Sequence, residues 1–180
     1  MIYHPRRLEN TMSKVKKLVY LSLIISLALV IHYFESFIPP LAPGAKLGLA
    51  NIMALVTLSL FGFKEALVVT LIRSLLGPLI GGNPSSILYS LAGGILATLI
   101  MALLYQKFRP YFTLMGISTA GAVFHNLGQL LVASSLYGTF GIMFTYLPIL
   151  MLSSVITGYF VGLVSRYIIN FFVIKKALTT

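Results

Sequence analysis

Five polar side chains lie deep within stretches of sequence that are otherwise apolar: Asn51, Arg73, His125, Asn126 and Gln129. A guanidinium in such a stretch costs at least ~2.5 kcal/mol if it meets hydrocarbon, so Arg73 must face protein, water or a ligand. His125 and Gln129 are four residues apart and share one helix face, whereas Asn126 is turned from His125 by ~100°. One cation among several hydrogen-bonding groups suits recognition of a carboxylate or phosphate, not bond-breaking chemistry. Lys46, in a Pro- and Gly-rich loop ahead of Asn51, would add a second positive charge. Segments 39–46 and 81–86 have the composition of loops that cover a pocket, although loop turns alone would produce it too. Interhelical hydrogen bonding would also account for these polar groups, and a Glu35–Arg73 ion pair would account for the arginine. No acid lies close on its own segment, since Glu65 precedes it by ~12 Å of helix.

The chain that must position these groups has 180 residues, 58% of them hydrophobic and 9% charged, with a mean hydropathy of +0.98. Soluble domains carry about a quarter charged residues, so this composition marks an all-α integral membrane protein. The formal charge of +10 would point to nucleic acid in a soluble chain. Here the cations gather at the ends of apolar segments, where they set topology and meet anionic lipid, and no nucleic-acid role is expected. The absence of cysteine excludes disulfides and thiolate metal sites. His4, His32 and His125 are too scattered for a metal motif. With no G-x-x-x-x-G-K-[ST] loop, active transport would need a partner's ATPase or an ion gradient. A self-sufficient proton-coupled carrier is disfavoured by the lack of paired carboxylates at membrane depth and of evident inverted repeats.

Breaks at Pro, Gly and charge predict six helices, at 18–38, 45–62, 64–80, 85–105, 113–136 and 142–169. They form a single membrane domain over 18–173, between a basic N-terminal segment, 1–17, and a short tail, 174–180. The second and third are short, so they should be steep or lean on irregular ends protected by neighbours. The first apolar run reads as a retained span rather than a signal peptide, because Pro39, Pro40 and Pro43 crowd the cleavage position. Arg6, Arg7, Lys14, Lys16, Lys17, Lys64, Lys107, Arg109, Lys175 and Lys176 fall on one side and Lys46 on the other, which puts both termini in the cytoplasm. Tyr20, Tyr33, Tyr89, Tyr105, Tyr111 and Tyr137 stand near span ends, as interfacial anchors do. Gly158 and Gly162, and separately Gly93, Gly94 and Ala97, form small-residue faces for close helix packing. Ser22 and Ser26, one turn apart on the first helix, offer a similar stripe to a neighbour or a partner.

Gly44-Ala45-Lys46-Leu47-Gly48-Leu49-Ala50-Asn51-Ile52, then Gly62-Phe63-Lys64-Glu65-Ala66 and Arg73-Ser74-Leu75-Leu76-Gly77, make a combination that resembles a membrane family. Ser90-Leu91-Ala92-Gly93-Gly94 and His125-Asn126-Leu127-Gly128-Gln129 extend it, so that the likeness covers 18–169. The family is heptaprenyl diphosphate synthase component I, also called the Gx transporter family. The resemblance implies an architecture like the substrate-binding S components of energy-coupling factor (ECF) transporters, with six helices, both termini inside and a ligand site opening outward. It further implies partners: a transmembrane coupling protein and two cytoplasmic ATPases. Many S components dock the coupling protein through Ala-x-x-x-Ala on the first helix, for which Ser22-x-x-x-Ser26 is the nearest equivalent here.

The expected function is therefore capture of a small anionic or amphipathic molecule, such as a flavin or a quinone or prenyl precursor, for an ATP-driven transporter. Arg73 and Lys46 would supply charge and Asn51, His125, Asn126 and Gln129 hydrogen bonds, with no cofactor and no metal. Prenyl chain elongation needs clustered carboxylates to hold Mg²⁺. Glu9, Glu35 and Glu65 are the only acids and are not clustered in sequence, so the chain is not expected to be an enzyme. The alternative is a non-catalytic membrane subunit of an isoprenoid synthase or a membrane redox assembly.

Overall fold

The computed structural model describes residues 13–39 and 48–179, with side chains described through residue 172. These residues form six α-helices and a 3-10 turn, with no strand among them. The helices are α1 (Lys14–Glu35), α2 (Asn51–Leu60), α3 (Phe63–Ile80), α4 (Ile87–Lys107), α5 (Leu114–Leu136) and α6 (Gly141–Thr179), and the 3-10 turn, Pro84–Ser86, leads into α4.

Local chemistry explains most of the boundaries. Ser13 caps α1 by accepting from the Lys16 N–H, and Thr113 caps α5 by accepting from the Gly116 N–H, each satisfying one of the donors left open at a helix start. The second helix is shorter than its apolar run predicts. Residues 45–47 lie outside the described residues, Gly48 takes a positive φ of 77°, and Gly62 takes 114°. That conformation is cheap for glycine alone and stops the helix at both ends. The ten residues of α2 rise ~15 Å, half of the ~30 Å hydrocarbon thickness, so α2 does not cross a bilayer unaided. At the other extreme, the 39 residues of α6 carry it ~58 Å, well past the predicted end at 169.

All ten residues of α2 are buried. It stands at the centre, against α1, α3, α4, α5 and α6. Around it α1 packs on α3, α3 on α4, α4 on α5 and α5 on α6, and the Tyr20 and Phe172 rings, 6.2 Å apart, close the ring between α1 and α6. One face of α2 (Ile52, Met53, Val56, Leu60) joins Ile24 and Ala28 of α1 and Val161 and Ile169 of α6. The other (Ala54, Leu55, Leu58) meets Ala66, Ala97, Met101 and Ile117.

Outward, the surface is apolar: Leu23, Leu27, Leu88, Leu99, Leu152 and Phe160 are among many large hydrophobic side chains left exposed. Three helical stretches, Lys14–Glu35, Pro84–Lys107 and Gly141–Phe172, are long and apolar enough to cross a membrane. An apolar skin over an interior containing Arg73, His32, Glu35 and His125 reverses the arrangement of a soluble domain, as lipid requires.

Glycine sets the helix spacing. A methyl group placed on Gly158 would stand 2.5 Å from Thr119 Cα, and one on Gly162 would stand 2.6 Å from Met115 Cα, so this pair packs within the chain, α6 against α5. Gly93 and Gly94 serve two neighbours: a methyl on the first would meet the His125 carbonyl of α5 at 2.7 Å, and one on the second the Ser74 hydroxyl of α3 at 2.8 Å.

Candidate functional site

Four of the predicted residues converge. Arg73 stands ten residues into α3 and is 1% exposed. Its Nη2 donates to Asn51 Oδ1, at the first residue of α2, over 2.5 Å. Gly48 draws His125 into the same group, since a methyl there would stand 2.9 Å from Asn51 Nδ2 and 3.2 Å from His125 Cδ2. Gly93 brings in Gln129: a methyl on it would lie 3.0 Å from both Gln129 Cγ and His125 Nδ1. Gly94 approaches the arginine similarly, at 3.3 Å from Nη2. Arg73, Asn51, His125 and Gln129 thus come from α3, α2 and α5, with the α4 glycines admitting the side chains between helices. All four are buried.

Asn126 belongs elsewhere. Its Nδ2 donates to Ser154 Oγ at 2.8 Å and to the Leu150 carbonyl at 3.3 Å, tying α5 to α6. The ~100° step between adjacent helix positions is the reason: when His125 faces α2 and α4, Asn126 faces α6. Lys46 lies outside the described residues. Ser22 and Ser26 are exposed on α1, and the Ser26 hydroxyl donates to the Ser22 carbonyl at 2.9 Å.

The anticipated Glu35–Arg73 ion pair does not form. The Glu35 carboxylate accepts from the backbone N–H groups of Gly48 and of Leu49, the latter at 3.3 Å, and attracts Arg73 without touching it. Arg73 Nε is buried and has no hydrogen-bond partner among the described residues. His32, assigned no role from sequence, is also inside: a methyl on Gly77 would stand 2.7 Å from its ring. Ile24, Ala28, His32 and Glu35 are the buried residues of α1, and their spacing of four, four and three is the signal that would have placed both polar groups inward.

A second polar layer supports the first. Thr70 and Thr98 share a 2.8 Å hydrogen bond between α3 and α4, and Ser74 donates to the Ser90 carbonyl at 3.1 Å. At the opposite end of the bundle Lys17 pairs with Glu65 at 2.6 Å, Ser59 bonds Tyr105 at 2.8 Å, and the Arg109 guanidinium lies 4.2 Å from the Tyr105 ring centroid. Glu35, near the end of α1, and Glu65 of α3, held by Lys17 near its start, are therefore far apart, since the eighteen helical steps from Lys17 to Glu35 rise ~27 Å. No group of three or more potential metal ligands occurs among the described residues.

Outside the cluster, an apolar groove of about 630 Å³ runs between α4 and α5, lined by Leu88, Leu91, Ile95, Leu131 and Val132. Gly128 and Ala92 lie in its wall, and a methyl on Gly128 would stand 2.8 Å from the Ala92 carbonyl.

The arrangement offers one cation and several donors and acceptors, with no nucleophile–base pair and no paired carboxylates. No curated protein and no solved structure matches the chain. The family model described as heptaprenyl diphosphate synthase component I matches residues 24–168, most of the sequence, and the chain accordingly belongs to the heptaprenyl diphosphate synthase component I family.

Proposed function

We propose that the chain is the substrate-capture subunit of an ECF-type ATP-driven transporter, with its six helices in the membrane and both termini cytoplasmic. The observation that carries this reading is the convergence of the buried Arg73, Asn51, His125 and Gln129 from α3, α2 and α5. A buried cation bonded to a neutral amide favours an anionic guest. The cargo is a small anionic or amphipathic molecule that enters from the outer side, and Arg73 supplies its charge partner. The exposed Ser22–Ser26 stripe supports docking of a coupling protein on α1, because small residues let a second helix approach closely. Two ATPases would then supply the energy that this chain has no phosphate loop to extract.

The family description favours a second reading, a non-catalytic membrane subunit that docks a prenyl diphosphate synthase. Neither reading makes the chain the catalyst, since Glu35 and Glu65 are too far apart to share a metal and are each engaged elsewhere. Mild-detergent purification from the native membrane, with mass spectrometry of bound proteins and small molecules, separates the two. Recovery of a coupling protein with two ATPases is the expected result. Recovery of a soluble prenyltransferase without ATPases would overturn the transporter reading.

A further inference from the structure

The Glu35 carboxylate occupies the approach to α2. It is buried, and it accepts from the backbone N–H groups of Gly48 and Leu49, which come within one turn of the helix start. Aligned peptide dipoles and open N–H groups make such a position favourable for negative charge. A second feature lies at the same helix start. Arg73 donates to Asn51 at the first residue of that helix, and its buried Nε has no hydrogen-bond partner among the described residues. Glu35 attracts Arg73 across a gap rather than pairing with it. Ordered backbone donors and an under-coordinated buried cation, with a carboxylate of the chain's own seated on the donors, form an anion site that is already filled from within.

We propose that Glu35 is an internal stand-in for the anionic group of the ligand. A carboxylate or phosphate on the incoming molecule displaces it from the Gly48 and Leu49 N–H groups and gains Arg73 Nε as a further donor. Glu35 is then the residue that determines specificity, because a neutral ligand cannot replace a charge-assisted hydrogen bond and leaves the carboxylate in place. This deepens, and rests on, the substrate-capture reading.

The chain's poverty in acids makes the displacement measurable. With Glu9, Glu35 and Glu65 as its only acidic side chains, an infrared difference spectrum contains few carboxylate bands. Inorganic phosphate, which has no carboxylate of its own, is added to the full-length protein in detergent. A shift in a carboxylate stretch that disappears in Glu35→Gln and persists in Glu65→Gln is the expected result. An unchanged carboxylate spectrum at saturating phosphate would overturn the proposal, and this measurement on the native chain does not depend on any variant folding.

Removing the competing charge should also strengthen binding. The phosphate concentration that half-saturates thermal stabilisation should fall about tenfold in Glu35→Gln, as expected when a charged competitor for a hydrogen-bond donor becomes neutral. Equal or weaker binding in that variant, or no saturable phosphate binding by the native protein, would each sink the idea. The capture reading is judged separately, by recovery of the coupling protein and ATPases.

Discussion

Arg73 of α3 bonds Asn51 at the start of α2, not Glu35 of α1. The arginine could have been fixed by an acid from α1, but that acid is engaged by the chain entering α2 instead. Under the capture reading, a buried arginine held by a neutral amide is a binding group for an anion.

Replacement of Arg73 by Ala separates these roles. It removes the buried cation along with one hydrogen bond, leaving Asn51 Oδ1 unpaired at a cost of about 1–3 kcal/mol. The variant should remain monodisperse in detergent with a modestly lower Tm, and should lose anion binding entirely. Failure to fold would mean that the arginine holds the helices together.

Asn126 should behave in the opposite way. Asn126→Ala deletes the links to Ser154 and Leu150 that join α5 to α6, and interhelical hydrogen bonds of this kind are worth ~0.6 kcal/mol on average in membranes. A slightly lower Tm with unaltered phosphate affinity is expected. Weakened affinity equal to that of His125→Ala would place Asn126 back in the site.

The glycine contacts predict a larger stability effect. Gly158→Ala would push a methyl to 2.5 Å from Thr119 Cα, a backbone atom that cannot turn aside, and overpacking of this type costs about 1–3 kcal/mol. Gly141→Ala, whose added methyl meets only the Thr139 hydroxyl at 3.3 Å, serves as the control. Thermal melts in one detergent should show a clear loss for the first and almost none for the second.

Bulk on the α1 stripe tests partner docking. The double variant Ser22→Phe with Ser26→Phe alters two exposed positions and should fold and bind phosphate normally. Co-purification of a coupling protein should be lost. If the assembly survives, α1 docks by another face or not at all.

Much of the architecture was legible because it rests on local properties. The apolar runs, interrupted at Gly62, at Gly81–Gly82 and around Pro110, placed all six helices, and the starts of α3, α5 and α6 fall within a residue of expectation. At α2 sequence and structure differ: the apolar run predicts a helix from 45, whereas the described helix begins at Asn51, three residues after Gly48 with its positive φ. The candidate site was legible in part: Asn51, Arg73, His125 and Gln129 stood out as polar groups in apolar surroundings. The spacing of His32 from Ala28 and Ile24 marks it as inward, whereas Asn126 resembles a site residue in sequence only because adjacency to His125 says nothing of which neighbour its face meets.

By itself, then, the sequence determined the membrane character, the helical class and the interior polarity, because each is a sum over composition or a consequence of local backbone chemistry. Only the tertiary structure decided that α2 is the buried centre, that Arg73 reaches Asn51, and that Glu35 turns to Gly48 and Leu49. Those outcomes depend on which helix faces come together, and that is settled by long-range packing through the close approaches at Gly48, Gly77, Gly93 and Gly94.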